Sequence, residues 1–158
     1  MRHDFKAAVV VCALTAATTL GFASTPANAA LMSFRLKNQT TGKCLKWNGY
    51  DKPVTQVTCA KVKSQYWGVG GTHLVSLATP LVGEGCLTGP SKHEGRVYGR
   101  ACSKMKGNRI SWSMYSHNNN SKNTPWNPVG GYLKVSKSGK VVAGARVSGN
   151  RDVWIVKT

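Results

Sequence analysis

A unit of about forty residues occurs three times along this chain, and this repetition restricts the fold more than any other feature. In each copy a glycine stands one or two positions before Cys-Leu or Tyr-Leu, within residues 41–47, 83–89 and 129–135. Each copy then ends in a tryptophan, and these are Trp67, Trp112 and Trp154. We therefore predict three copies of one structural unit around a shared core, over about 32–72, 73–115 and 116–158.

The repeated unit is predicted to be built of short β-strands. Runs rich in Val, Leu, Trp and Thr alternate with clusters of Gly, Asn, Pro and Ser, and no segment after residue 30 has helical periodicity; examples of the runs are 33–37, 54–58, 73–77 and 153–156. This pattern is typical of a closed or nearly closed all-β domain with tight turns.

The first 29 residues are typical of a secretory signal peptide. Arg2 and Lys6 precede an apolar run over residues 7–22, and small residues follow around Ala27 and Ala29. The run is short and no stop-transfer pattern follows, so a retained membrane helix is the less favoured alternative. We predict cleavage after Ala29, a secreted protein without a transmembrane segment, and a single domain over residues 30–158.

Four cysteines remain after such cleavage, and their number and spacing favour two disulfides. They are Cys44, Cys59, Cys86 and Cys102. Exported proteins meet an oxidising environment, and the wide spacing differs from the paired C-x-x-C of a zinc site. We therefore predict no structural metal.

The third repeat suggests how the cysteines pair. Tyr132 stands where Cys44 and Cys86 stand, and Ala145 or Arg146 falls where the second cysteine of each other repeat stands. Loss of both partners together is what a bond inside each repeat predicts, namely Cys44–Cys59 and Cys86–Cys102. Each would close a loop worth about 3 kcal/mol. The sequence leaves the other pairings open.

The charge is strongly positive. The chain has 22 Lys and Arg against 5 Asp and Glu, and removal of Arg2, Lys6 and Asp4 with the signal leaves 20 against 4, near +16. Such a field attracts polyanions, including acidic glycans, wall polymers, anionic lipid and nucleic acid, in a salt-dependent way. The alternative is that the charge serves solubility alone. Export makes nucleic acid a poor specific partner.

The repeated motif resembles the ricin B-chain type lectin domain over about residues 32–158. The resemblance rests on Cys-Leu, a second cysteine and Gln-x-Trp, which is complete once, at Gln65–Trp67. It implies a β-trefoil with three internal repeats, in which Gln65 and the three repeat tryptophans, Trp67, Trp112 and Trp154, are structural.

The residues that bind galactose in that family are missing here. The aspartate that follows Cys-Leu is replaced by Lys46, Thr88 and Lys134 in the three repeats. The stacking aromatic is replaced by Val57, Arg100 and Gly144, and the asparagine before Gln-x-Trp by Ser64, Arg109 and Arg151. A galactose bound in the family's usual way would lose both its acceptor and its apolar platform.

Basic side chains at these positions favour an anionic ligand, since guanidinium groups bind sulfate, carboxylate and phosphate in a bidentate manner. The alternative is an ordinary solvated basic surface. Trp47 and Tyr50 lie in the turn after Cys-Leu, where family ligands sit, so they are candidates for stacking. The predicted ligand-binding residues are Lys46, Trp47, Tyr50, Arg100, Arg109, Lys134 and Arg151.

Catalysis is not predicted. A glycosidase needs a pair of flanking carboxylates, and the four carboxylates after the signal form no recognisable motif; they are Asp51, Glu84, Glu94 and Asp152. The histidines at 73, 93 and 117 are isolated, so no nucleophile has a positioned base. We predict neither catalytic residues nor a cofactor.

The sequence thus predicts a secreted, non-catalytic carbohydrate-binding module, for an anionic or other non-galactose glycan on a cell or wall surface. The alternative is a protein-binding trefoil. It could be a protease inhibitor that presents the polar loop 117–128, or the binding subunit of a toxin.

Overall fold

The computed structural model describes residues 32–81, 83–105, 107–116 and 121–158. The predicted signal peptide, the predicted cleavage site and residues 117–120 of the predicted inhibitor loop lie outside these ranges. Over the described residues there is no helix with the length and apolar character needed to cross a membrane.

Fourteen short strands make up the described chain. We define three lobes as residues 32–72, 73–116 and 121–158. The first lobe holds β1 (Arg35–Asn38), β2 (Cys44–Lys46), β3 (Lys52–Pro53), β4 (Thr55–Val57) and β5 (Trp67–Gly70). The second holds β6 (His73–Ser76), β7 (Gly85–Thr88), β8 (Gly95–Arg96), β9 (Tyr98–Ala101) and β10 (Ser113–Ser116). The third holds β11 (Lys122–Asn127), β12 (Gly131–Val135), β13 (Val141–Gly144) and β14 (Trp154–Lys157). Short 3-10 helices cover Lys63–Gln65, Cys102–Lys104 and Gly107–Ile110.

Six of the strands close into a barrel. Three antiparallel pairs each join two different lobes, and these are β1 with β14, β5 with β6 and β10 with β11. The ring between these pairs is completed by Phe34 opposite Trp67, His73 opposite Ser111 and Asn123 opposite Trp154. A closed barrel leaves no free sheet edge on these strands.

One hairpin from each lobe covers an end of the barrel. The hairpins are β2 with β4, β7 with β9 and β12 with β13. Neighbouring hairpins are also joined, because β3 pairs with β9 and β8 pairs with β13. The predicted β-trefoil with three internal repeats is therefore confirmed.

The repeat tryptophans form the centre of the core. Trp67, Trp112 and Trp154 are each 4% exposed or less. Each indole N–H donates to the carbonyl of the leucine that follows the first cysteine position: to Leu45 at 3.2 Å, Leu87 at 2.8 Å and Leu133 at 2.9 Å. A buried indole N–H needs a partner. Each tryptophan thus joins the last strand of a lobe to its cap hairpin.

Both predicted disulfides are present. Cys44 bonds to Cys59 and Cys86 to Cys102. In the first lobe Gln65 secures the segment beside Cys59, since its amide oxygen accepts from the Ala60 N–H at 2.8 Å and its amide nitrogen donates to the Thr58 carbonyl at 3.0 Å.

In the third lobe an ion pair and a cation–π contact stand where the other lobes have a disulfide. Arg146 takes the place of the second cysteine, and its guanidinium lies 5.7 Å from the ring centre of Tyr132, which replaces the first. Its Nε is 3.4 Å from a carboxylate oxygen of Asp152, whose side chain is only 3% exposed. Asp152 occupies the position of Gln65. The lobe therefore uses charge where its neighbours use a covalent bond.

Candidate ligand-binding cavities

The largest described cavity belongs mainly to the third lobe and is positively charged. This third-lobe cavity has a volume of about 980 Å³. Four cationic residues line it, and these are Lys134, Lys137, Arg146 and Arg151. Glu94, from the second lobe, is the one carboxylate among its lining residues. Anions are therefore favoured inside it.

Lys134 points into this cavity because of its place on β12. Its neighbours Leu133 and Val135 are 0% and 2% exposed and face the core, so the residue between them faces outward. Its ammonium donates to the Ala145 carbonyl at 2.9 Å and to a carboxylate oxygen of Glu94 at 3.3 Å. Lys134 is thus held at the cavity wall by two partners.

Arg151 sits on a segment that the first lobe holds in place. The Asn38 amide donates to the Arg151 carbonyl at 2.9 Å, and the Thr40 hydroxyl donates to the Gly149 carbonyl at 2.7 Å. Val135 also donates its N–H to the Arg151 carbonyl, at 3.0 Å. The guanidinium therefore projects from a fixed backbone.

A smaller cavity of about 300 Å³ lies between the first and second lobes. This interlobe cavity is lined by Tyr50, Asp51, Arg100, Ala101, Lys104 and Met105. Arg100 Nε is 3.6 Å from a carboxylate oxygen of Asp51, and its guanidinium lies 5.6 Å from the Tyr98 ring centre. Burial raises the pKa of the Tyr50 phenol, and the charge of Glu84 and a hydrogen bond to it raise it further. The two lobes thus share this cavity.

The sequence matches the family description "Ricin-type beta-trefoil lectin domain" over residues 32–157. The chain belongs to the ricin-type β-trefoil lectin family. It is therefore a carbohydrate-binding domain of the lectin type.

Solved β-trefoils share the fold at low sequence identity. The designed threefold-symmetric protein ThreeFoil gives a TM-score of 0.67 at 14% identity, covering 80% of this chain and 98% of that one. The agglutinin from Abrus precatorius gives 0.63 at 18%, covering 79% and 48%. The Vibrio vulnificus hemolysin/cytolysin β-trefoil lectin, solved with N-acetyl-D-lactosamine bound, gives 0.59 at 16%, covering 82% and 96%. The search of curated proteins found no match to the sequence.

Four of the seven predicted ligand-binding residues of this lectin domain line described cavities. Lys134 and Arg151 meet in the third-lobe cavity, and Tyr50 and Arg100 meet in the interlobe cavity. Lys46 lies half-buried on β2 and lines none of the cavities described. The predicted set is thus divided between two places.

The structure corrects the stacking role predicted for Trp47. Its side chain is 6% exposed and packs edge-on against Tyr50 and Trp67, with ring centres 5.4 and 6.3 Å away. Its ring also presses on Gly85 and Gly99, where an added Cβ would lie within 3 Å of it. Trp47 is a core residue, and no ring face is open to a ligand.

Arg109 is also occupied within the fold. Its Nε and one terminal nitrogen donate to the Gly89 carbonyl at 3.3 and 3.2 Å, from a half-buried side chain. The backbone carbonyl of Arg109 accepts from the Asn127 amide at 3.0 Å. Its guanidinium therefore supports the second lobe rather than standing free for an anion.

Two carboxylates that the sequence did not single out reach across lobe boundaries. Asp51 and Glu94 directly precede β3 and β8, and each lies eight residues before the second cysteine of its lobe. Both have positive backbone φ angles, 57° and 63°. Asp51 approaches Arg100 of the second lobe and Glu94 approaches Lys134 of the third. Ser138 stands at the equivalent position of the third lobe, so the first lobe receives no carboxylate from it.

The contact of Glu94 with Lys134 returns an acceptor to one place where the family's aspartate is absent. Lys134 stands at the aspartate position of the third lobe, and Glu94 supplies a carboxylate beside it from another lobe. The equal spacing of Asp51 and Glu94 before their cysteines is the signal that points to them, but only the pairing of β3 with β9 and of β8 with β13 shows what they contact.

The described residues offer no site for a metal ion, since no three His, Cys, Asp or Glu side chains among them come together. All four carboxylates described have partners: Asp51 with Arg100, Glu84 with Tyr50, Glu94 with Lys134 and Asp152 with Arg146. Three of these partners are cations and the fourth is the uncharged Tyr50 phenol, so Arg100, Lys134 and Arg146 are the cations that form ion pairs among the described residues.

Glu94 is expected to titrate below its ordinary range. The hydrogen bond from Lys134 lowers the pKa of its carboxyl most, followed by the Lys134 charge and a backbone hydrogen bond from Ala145. The contribution of this contact to stability is present above the ordinary carboxyl pKa and is lost as the pH falls through the lowered value. Carbon-13 NMR of the Glu94 carboxyl measures this directly.

Lys134→Met is expected to raise the Glu94 midpoint toward its ordinary value. Arg151→Gln removes a charge from the same cavity without touching Glu94, and it is expected to move the midpoint much less. An unshifted Glu94 in the unaltered protein, or equal effects of both variants, would show that the ion pair does not form in solution.

Proposed function

We propose that this domain is a secreted, non-catalytic carbohydrate-binding module that takes an anionic glycan of a cell or wall surface into the third-lobe cavity. The observation that carries the proposal is the composition of that cavity: four cations face one carboxylate in about 980 Å³. The volume is ample for one or two sugar rings with their substituents.

Lys137 and Arg151 are the cations most available to a ligand. Lys134 is paired with Glu94, and Arg146 is paired with Asp152. Neither Lys137 nor Arg151 forms an ion pair among the described residues. A ligand carboxylate or sulfate would gain charge-assisted hydrogen bonds from them without breaking an existing pair.

Glu94 gives the same cavity an acceptor for sugar hydroxyls. Its side chain is 62% exposed, so its oxygens remain open to a ligand although Lys134 is within 3.3 Å. A carboxylate among cationic side chains repels simple anions, but it accepts hydrogen bonds from hydroxyl groups. The ligand favoured by this arrangement carries both an acidic group and free hydroxyls, as acidic glycans do.

Secretion is supported by the signal-like residues 1–29 and by the two disulfides. The positions of the carboxylates support the proposal that the domain is non-catalytic. The two that face cavities, Asp51 and Glu94, lie in different cavities, so no pair flanks one glycosidic bond.

The experiment is a glycan array of the oxidised protein that carries carboxylated, sulfated, phosphorylated and neutral glycans, read at low and at physiological salt. The expected result is that a subset of acidic glycans remains bound at about 0.15 M salt, where the Debye length is about 8 Å and contacts inside the cavity are screened least. Uniform binding to all acidic glycans that salt removes would overturn the proposal. It would turn attention to protein partners such as secreted proteases.

A further inference from the structure

A third cavity lies where the cap hairpins of all three lobes meet. In each lobe a four-residue segment leads into the second strand of the cap hairpin. The three segments align without gaps, as Asp51–Val54, Glu94–Val97 and Ser138–Val141. The third residue of each segment lines this axial cavity of about 220 Å³, and these residues are Pro53, Arg96 and Lys140. The fourth residue of each segment is a valine that is at most 2% exposed: Val54, Val97 and Val141. The cavity thus lies above an apolar layer on the pseudo-threefold axis.

Contacts between each pair of lobes fix the walls of the axial cavity. The Val54 N–H donates to the Val97 carbonyl at 3.0 Å, which joins the first lobe to the second. Arg96 pairs with Val142 in the β8–β13 ladder, which joins the second to the third. The Gln56 amide donates to the Gly139 carbonyl at 3.1 Å and closes the ring back to the first lobe.

The charged side chains that line this cavity are both cationic. Arg96 and Lys140 come from different lobes, both are exposed, and neither forms an ion pair or side-chain hydrogen bond among the described residues. No carboxylate lines the cavity. The Thr55 oxygen accepts a hydrogen bond from the Asn48 amide at 2.9 Å, so its own O–H remains able to donate.

We infer that the axial cavity binds a tetrahedral oxyanion, the sulfate or phosphate group of a ligand. Arg96 supplies a planar fork suited to two oxygens, and Lys140 supplies a point charge from another side. Donors that line one cavity from different lobes suit the oxygens of a tetrahedral group better than the two coplanar oxygens of a carboxylate. This site is separate from the third-lobe cavity and does not depend on the glycan bound there.

The test is a titration of nitrogen-15-labelled, oxidised protein with sodium sulfate and, separately, sodium phosphate, with sodium chloride at equal ionic strength as reference. Amide signals of Thr55, Gln56, Gly139 and Lys140 are expected to shift and saturate with at least one of the two oxyanions. Saturation by sulfate alone identifies a sulfate site, by phosphate alone a phosphate site, and by both a general oxyanion site. Equal shifts with chloride, or no saturation with either oxyanion, would overturn the inference.

Charge-matched variants separate a site from a basic surface. Arg96→Gln with Lys140→Gln is expected to weaken the apparent affinity about tenfold or more, the loss of two charge-assisted contacts. Lys43→Gln with Lys61→Gln removes the same charge from exposed positions outside all three cavities and is expected to change it less than about threefold. Equal weakening in both pairs would contradict the inference.

One further variant keeps the two sites distinguishable. Lys137→Gln with Arg151→Gln alters the third-lobe cavity alone, so the axial shifts are expected to persist in it. If those shifts disappear, the oxyanion is binding in the third-lobe cavity and the axial site is wrong.

Discussion

Replacing Trp67 by alanine is expected to lower the free energy of unfolding by about 3–5 kcal/mol. Trp67 is fully buried, and its indole N–H holds the Leu45 carbonyl at 3.2 Å. The substitution removes one of the two buried tryptophans of the first lobe, leaves a cavity at the barrel centre and leaves that carbonyl without its donor. Urea unfolding of the oxidised protein, followed by far-ultraviolet circular dichroism, measures the change.

Two variants define the range of this result. Trp67→Phe keeps most of the apolar volume and is expected to cost about 1–2 kcal/mol, which remains measurable if the alanine variant does not fold. Trp126, half-buried against Tyr115 at a ring distance of 6.2 Å, is the control, and Trp126→Ala is expected to cost about 1 kcal/mol or less. Equal costs at Trp67 and Trp126 would contradict a central role for the repeat tryptophan.

Replacing Arg146 by methionine is expected to destabilise the third lobe by about 2 kcal/mol. The change leaves the Asp152 carboxylate, 3% exposed, without its cation. Removal of one partner of a fully buried pair costs about 3–5 kcal/mol, and a smaller cost is expected here because the Arg146 side chain is 59% exposed. The contact with the Tyr132 ring is lost as well. Equilibrium unfolding in urea measures this cost too.

The partner substitution shows whether charge is the cause. Arg146→Met with Asp152→Gln removes both charges and places at 152 the residue that the first lobe has at Gln65. The double variant is expected to be about 1 kcal/mol more stable than Arg146→Met alone. A double variant as unstable as the sum of its single changes would show that Arg146 and Asp152 are not coupled.

The structural roles of the repeat tryptophans and of the cysteines could be predicted from the sequence because these residues occupy recurring positions within each repeat. Each tryptophan returns at the same place in a unit of about forty residues, and the third lobe lacks both cysteines at once. Three similar units are expected to share one core, and the joint loss of two cysteines from the third lobe favours a bond between their counterparts in each of the other lobes. The disulfides of the structure agree with that reasoning.

The ligand-stacking role predicted for Trp47 was wrong because residues of another lobe determine whether its ring is buried. Its place after Cys-Leu suggested a ligand contact, but Gly85 and Gly99 of the second lobe leave room for its ring in the core. Those glycines lie about forty and fifty residues further along the chain. Arg109 is engaged within its own lobe, where its guanidinium donates to the Gly89 carbonyl twenty residues earlier in the chain.

The carboxylate acceptors of the third-lobe cavity and of the interlobe cavity could not be predicted from the sequence either. Asp51 and Glu94 belong by position to one lobe and by contact to the next. The same holds for Pro53, Arg96 and Lys140, which form a common cavity only because three turns meet on one axis. Which residues meet across a lobe boundary depends on how the strands of the two lobes pair. The sequence of a single repeat does not contain that information.

The most direct test of the central claim compares two charge-matched variants on the same glycan array at physiological salt. Lys137→Gln with Arg151→Gln changes the third-lobe cavity, and Lys43→Gln with Lys61→Gln changes exposed positions elsewhere. The cavity variant is expected to lose about tenfold or more of the acidic-glycan affinity, whereas the other stays within about threefold of the unaltered protein. Equal losses in both, or retention in both, would contradict binding of an anionic glycan in the third-lobe cavity.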